Sequence, residues 1–229
     1  MNKLNILYIN LEYRKERNEH IIEQLKSMDL TNYQRFEAIY NKECGHIGCA
    51  TSHIACLEIA KKNNWEQVLI IEDDFTFTKD KNYIFENYDR IKDTNWDVLM
   101  LSGNLNKANI LYEKIDDTFS KCIKTATTAG YIVKDHYYDT LLNNFKESKK
   151  ILEKDLEQHK IKLSKMDPSK IRGRWNATSR STGLMLQYTC NAIDAYMQKL
   201  QDKDNWVIFY PNIGKQNELF NGNYKGNDT

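Results

Sequence analysis

Apolar runs and helical stretches alternate along the chain. Leu4 to Leu11 reads as a strand, and the charged segment Glu12 to Asn18 leads into an amphipathic helix ending near Met28. Tyr33 to Tyr40 reads as a second strand. Asn41 to Gly48 is a glycine-containing loop, followed by a helix from about Cys49 to Asn63. Val68-Leu69-Ile70-Ile71 places four large apolar residues in a row, as expected of a strand buried on both faces of a parallel sheet. A helix over Asn82 to Ile91 and a strand over Trp96 to Leu101 come next. The small-residue run Thr125 to Gly130 then feeds the apolar Tyr131-Ile132-Val133. Asp135 to Asn144 and Asn191 to Lys199 read as helices, and Trp206 to Tyr210 as a late strand before Pro211. Strands alternating with helices predict an α/β fold whose mostly parallel central sheet carries helices on both faces. Between Lys146 and Lys170 charged residues dominate, with Leu and Ile at helical spacing, which predicts a solvated helix. With no internal repeat and no linker, the expectation is one domain over residues 1–229. It has a variable insertion at about 146–183 and a frayed tail at about 221–229.

Composition narrows the partners. A net charge of +1, with 28% charged residues, provides no basic field of the kind that drives nucleic-acid binding, so nucleic acid is not expected as a partner. Met1 to Asn10 lacks the long apolar core and small-residue cleavage site of a signal peptide. No stretch is long enough to span a bilayer. Cys44, Cys49, Cys56, Cys122 and Cys190 form an odd set without a dense framework, which favours reduced thiols and a cytoplasmic setting. The sequons at Asn176 and Asn227 matter only in a secretory compartment.

The candidate chemistry begins where the third strand stops, in Glu72-Asp73-Asp74. The carboxyl ends of strands are where open α/β sheets bind ligands, and adjacent carboxylates suit Mg²⁺, Mn²⁺ or Ca²⁺. An isolated triplet of this kind is more often a solvated acidic turn. Cys44, His46, Cys49, His53 and Cys56 hint at zinc, but their spacing fits no paired motif, and core packing on one helix face explains the thiols better. His53 reads equally as an interior hydrogen-bonded histidine or as a ligand contact. Ser52 and His53 follow Gly45 and Gly48 at an expected helix amino terminus, where a diphosphate could rest. Glu12, Arg14, Lys15 and Arg17 form either a solvated charge run or a nucleotide-holding loop on the same sheet edge as the acids. Arg172, Arg174 and Arg180, with Trp175, occupy a polar loop that suits a phosphate clamp and an exposed connection equally. Asp194, among apolar neighbours, reads as a helix cap or a general base.

Together these pieces resemble glycosyltransferase family 25, the lipooligosaccharide and collagen galactosyltransferases. The matching segments run in order: Tyr8 to Leu11 with Arg14 and Arg17, Phe36 to Ile39, Gly45 to His53, Leu69 to Asp74, Trp96-Asp97, Thr127 to Tyr131, Asp194, Tyr210-Pro211 and Gln216. The resemblance implies a GT-A-type, Rossmann-like fold, a UDP-sugar donor (UDP-galactose or UDP-glucose) and inversion at the anomeric carbon. It also implies Mn²⁺ or Mg²⁺ held by Asp74 and Glu72, with Glu72 or Asp73 close to the ribose or the metal's water shell. Asn10, Leu11 and Arg14 would line the nucleotide pocket, Ser52 and His53 would face the donor, and Asp194 would be the base. The implied acceptor is a glycan or glycoprotein hydroxyl. Alternatives are a collagen-type hydroxylysine acceptor and a non-catalytic nucleotide-sugar-binding module. A phosphotransfer domain would place its acid pair after the first strand, where this chain has Asn-Leu-Glu-Tyr-Arg. The sequence departs from the family after Gln216, where Asn-Glu-Leu-Phe replaces a Ser-Asp-Ile run, and in the charged Lys146 to Lys170 stretch.

Overall fold

The structure is a computed structural model that describes residue 1 and residues 4–103, 111–165 and 190–220. The three-arginine loop and the tail after Phe220 lie outside the described residues. The first half runs β1 (Asn5–Asn10), α1 (Lys15–Ser27), β2 (Tyr33–Glu37), α2 (Gly45–Lys62), β3 (Gln67–Glu72), β4 (Phe75–Phe77), α3 (Lys81–Ile91) and β5 (Val98–Met100). It continues with β6 (Leu111–Lys114), β7 (Phe119–Lys124), β8 (Gly130–Lys134), α4 (Tyr138–Ser164), the short helices α5 (Ile193–Tyr196) and α6 (Gln198–Gln201), β9 (Trp206–Phe209) and β10 (Gly214–Gln216).

Eight strands form one sheet in the order β2-β1-β3-β8-β5-β9-β7-β6, while β4 and β10 form a separate antiparallel pair. In the large sheet β1, β2, β3, β5, β6 and β9 point one way, and only β7 and β8 oppose them. The sheet is therefore mostly parallel, as expected of a GT-A-type α/β fold, with two antiparallel strands that the apolar pattern did not reveal. Side-chain alternation along each strand divides the core in two. Leu69 and Ile71 join Ile6 and Tyr8 beneath α1 and α3, whereas Val68 and Ile70 join Leu7 and Ile9 beneath α2 and α4. All four of Val68 to Ile71 are fully buried, each contributing about 1.5–3 kcal/mol from removal of apolar surface from water. Because β1, β2 and β3 are mutually parallel and in register, Asn10, Glu37 and Glu72 end at one sheet edge.

Two sequence expectations change here. Helix α2 begins at Gly45, not near Cys49. The Asn41 side chain accepts the N–H groups of Glu43 and Cys44 (3.0 and 2.8 Å) and Cys44 stays extended, so the chain is turned into the helix one turn early. Gly48 then lies inside the helix, where a β-carbon would come within 2.5 Å of the Ile39 carbonyl oxygen; glycine lets the preceding loop lie against α2. The Lys146 to Lys170 stretch is not a freely solvated helix. Up to Ser164 it is the second half of α4, whose Leu152 and Leu156 pack on Cys44 and Ile47. The same face anchors the segment before α5: Ser148 donates to the Asn191 carbonyl (2.5 Å), and the Asn191 amide donates to Asp155 (3.1 Å).

Candidate active site

The acidic turn between β3 and β4 is gripped from behind. The Phe75 ring sits so close to Gly130 and Gly214 that a β-carbon at Gly214 would fall 1.8 Å from Cζ. The main chain adds two ties, from the Glu72 N–H to the Ala129 carbonyl (2.8 Å) and from the Asn217 N–H to the Asp74 carbonyl (2.7 Å). The three carboxylates consequently hold fixed and different positions.

Glu72 accepts from the Thr128 hydroxyl at 2.7 Å and contacts His53 Nε2 at 3.2 Å; His53 Nδ1 meets the Tyr131 hydroxyl at 3.0 Å. One neutral tautomer satisfies this chain, with Tyr131 donating to Nδ1 and Nε2–H donating to Glu72. Burial pushes the Glu72 carboxyl up, but the hydrogen bonds from His53 and Thr128 and the charge of Arg17 outweigh it and leave its pKa below the ordinary value. Thr127, next to Thr128, has φ 110°, a strained value for a β-branched residue, at the point where the chain turns to deliver that hydroxyl.

Asp73 is braced from both sides: Asn10 Nδ2 donates to Oδ2 (2.8 Å) and Arg17 Nη1 donates to Oδ1 (3.1 Å). Burial still raises its pKa above the ordinary value despite both partners. Asp74 is the least compensated. Oδ2 has Arg17 Nη1 at 3.6 Å and Gln216 Nε2 at 3.5 Å, and Oδ1 is buried without a hydrogen-bond partner among the described residues. Burial, then the charge of Glu72, pushes this carboxyl up to about 7. Arg17 cannot neutralise two carboxylates, and its second amino group is committed to the Phe220 carbonyl (3.0 Å).

The other predicted residues divide. Leu11 lines a cleft of about 370 Å³ with Glu12, Tyr13, Glu37, Ala38 and Tyr40 at the carboxyl ends of β1 and β2. Tyr13 and Tyr40 meet there edge to face, 5.9 Å between centroids, and the Arg14 guanidinium lies 5.3 Å from the Tyr13 ring. Asn10 does not line the cleft: its amide is spent on Asp73, the Arg14 carbonyl (3.1 Å) and Arg35 (3.0 Å), so it positions the acid turn. The Ser52 side chain is turned inward. It is buried two turns into α2, donating to the Gly48 carbonyl (2.9 Å) and accepting the Ile39 N–H (2.9 Å), and it pins the loop that Gly48 admits. Asp194 lies in the first turn of α5, half-buried, and its charge acts on the Cys49 thiol together with those of Glu72 and Asp74. The acid turn and Asp194 therefore share one electrostatic neighbourhood. A larger cavity, about 550 Å³, opens beside Leu4, Trp65, Gln67 and Tyr88 at the opposite edge of the sheet, away from these groups.

Arg17, Thr128, Tyr131 and the Tyr13–Tyr40 pair complete the neighbourhood. Arg17 is in the charge run that the sequence offers as a nucleotide-holding loop, and Thr128 and Tyr131 are in a family-like segment, but only the packed structure gives their partners; Tyr13 and Tyr40 carry no signal of their own. The donor set suits a hard divalent cation. Asp74 offers a buried oxygen with no partner among the described residues and Glu72 a partly buried carboxylate, whereas both Asp73 oxygens are already engaged.

No curated protein sequence matches the chain. Among solved structures, the chain is similar to A197 from STIV (TM-score 0.44, 10% identity, covering 90% of this chain and 81% of that one). It is also similar to a glycosyltransferase involved in glycosylation of the major capsid of PBCV-1 (TM-score 0.42, 11% identity, covering 90% and 93%). No helix among the described residues is long and apolar enough to cross a membrane. Residues 44–157, which carry α2, the acid turn and most of α4, match the model for glycosyltransferase family 25 (LPS biosynthesis protein), and the chain is a member of that family.

Proposed function

We propose that this glycosyltransferase moves a hexose from UDP-galactose or UDP-glucose to a glycan hydroxyl, with inversion, and that it needs a divalent cation at the acid turn. The observation that carries the reading is Asp74, a buried carboxylate held in a tied turn, with one oxygen unpartnered among the described residues, beside a second carboxylate. A bound Mn²⁺ or Mg²⁺ supplies charge neutralisation for the leaving diphosphate. Asp74 and Glu72 hold the cation; Asp73, fixed by Asn10 and Arg17, keeps the turn in place. The Tyr13–Tyr40 cleft takes the uracil against aromatic faces, with Leu11 on its floor and Arg14 at its rim. Inversion by single displacement needs a base on the acceptor side, and Asp194 takes the proton from the attacking hydroxyl. Its α5 segment is held by Ser148 and Asp155 of α4, which gives the charged helix a positioning role.

The test is UDP release from UDP-galactose, UDP-glucose and their N-acetyl forms, with glycan acceptors and with Mn²⁺ or chelator. Release from one or both hexose donors, dependent on Mn²⁺ and acceptor, is expected. UDP binding without release from any donor would identify a non-catalytic sugar-nucleotide module instead.

A further inference from the structure

Reduced thiols are expected at all five cysteines, with core packing accounting for those on α2. Cys44 packs on Ile47, Leu152 and Leu156, and Cys56 and Cys122 sit among aliphatic and aromatic side chains at 0% and 1% exposure. Cys49 is different. It lies one helical turn before His53 on the same face of α2, half-buried beside the Thr128 hydroxyl, where burial, then the charges of Glu72, Asp194 and Asp74, push its thiol pKa up, so that a cation is needed to draw off the proton. Cys49 Sγ, a ring nitrogen of His53 and a carboxylate oxygen of Glu72 all lie within 4.8 Å of one another. Bonds of about 2.0–2.3 Å to a tetrahedral cation place ligand atoms roughly 3.3–3.8 Å apart, so small side-chain rotations close the set.

We propose that Cys49, His53 and Glu72 form a site for a borderline-soft divalent cation of the Zn²⁺ type, separate in ligand chemistry from the all-oxygen site centred on Asp74. Thiolate, imidazole and carboxylate match zinc, whereas Mg²⁺ and Mn²⁺ prefer oxygen. The supporting shell is already in place. The Tyr131 hydroxyl meets His53 Nδ1 at 3.0 Å and the Thr128 hydroxyl meets Glu72 at 2.7 Å, and such partners orient metal-binding histidine and carboxylate groups. On coordination the Cys49 S–H proton leaves to solvent as the S–metal bond forms. His53 then binds through Nε2, with its proton on Nδ1 donated to the Tyr131 oxygen. Three protein ligands leave the fourth position open. The site stands on these residues whether or not the chain transfers sugar, but Glu72 is common to both, so zinc here withdraws one ligand from the Asp74 site.

The test is Co²⁺ titration of the metal-free full chain. One Co²⁺ per chain is expected to give a thiolate-to-cobalt charge-transfer band that Zn²⁺ abolishes. Cys49→Ser should lose the band, His53→Gln should weaken binding by at least about tenfold, and Cys56→Ser should keep it. Absence of a thiolate band in the wild-type protein, or its survival in Cys49→Ser, overturns the site. X-ray absorption of the zinc-loaded wild-type protein gives a readout independent of any variant's folding. One sulfur with nitrogen and oxygen ligands supports the site, and a shell without sulfur overturns it.

Discussion

Asp74 and Asp97 are both nearly sealed from solvent, at 6% and 9% exposure, but only one of them is finished. Asp97, beside the amino end of β5, accepts from the Asn205 N–H at 2.8 Å on Oδ2 and meets His136 Nε2 at 2.8 Å on Oδ1. Asp74, after the carboxyl end of β3, has one oxygen with no partner among the described residues and two like charges next to it in the chain. A buried carboxylate with every oxygen satisfied stabilises the fold; one left partly unsatisfied costs free energy that a bound ligand can recover. Equal burial thus distinguishes nothing by itself, and the partners do.

Substitutions at the two aspartates, and at the groups that depend on Asp74, should separate a ligand-binding acid from a structural one. Asp74→Asn is expected to reduce metal-dependent turnover by roughly a thousandfold or more, because charge stabilisation by the cation is worth several kcal/mol; UDP release with saturating Mn²⁺ measures it. Asp194→Asn should lower transfer by about 10²–10⁴-fold while UDP-sugar binding persists. Near wild-type transfer in that variant removes Asp194 as the base. Both effects concern chemistry and should leave the urea midpoint close to that of the wild-type protein or above it.

Stability effects come next in size. Asp97→Asn should cost about 2–3 kcal/mol, since it weakens the hydrogen bonds to His136 and Asn205 in a buried position; urea unfolding reads it. Gly214→Ala should cost about 1–3 kcal/mol by driving a methyl group into the Phe75 ring and displacing the acid turn. In that variant turnover should fall with stability, whereas in Asp97→Asn it should not.

The smallest effect has the opposite sign. The Asp74 carboxyl is held near 7 in the metal-free fold, above its ordinary value of 3.8. The native state therefore binds more protons than the unfolded chain between those values, and stability falls as pH rises through that window. Asp74→Asn removes this penalty. It should stabilise the metal-free protein by about 1–2 kcal/mol at pH 8, less than the full linkage value because an amide must still be buried, and by almost nothing at pH 4. A variant that is more stable and inactive is the signature of a functional acid.

How much of this was legible in the sequence follows from the physics of each element. Four consecutive apolar residues fixed β3, and its acids pointed to the candidate site, because burial on both faces and charge at a strand end are local signals. Strands β4, β6 and β10 are three or four residues long, too short to carry a period. Asn10 and Ser52 belong to a family-like pattern, yet their side chains are committed to Asp73, Arg35, Gly48 and Ile39, partners known only from the packed structure. The charged half of α4 was misread because its buried face is only Ser148, Leu152, Leu156 and His159, a narrow stripe among lysines and glutamates.

The central claim is that the β3–β4 turn is held ready for a divalent cation through Asp74. Electron paramagnetic resonance titration of Mn²⁺ in the presence of UDP tests it most directly, comparing the wild-type protein with Asp74→Asn and Asp97→Asn. Wild type and Asp97→Asn should bind one Mn²⁺, and Asp74→Asn should lose at least tenfold in affinity. Equal Mn²⁺ affinity in all three proteins would contradict the account.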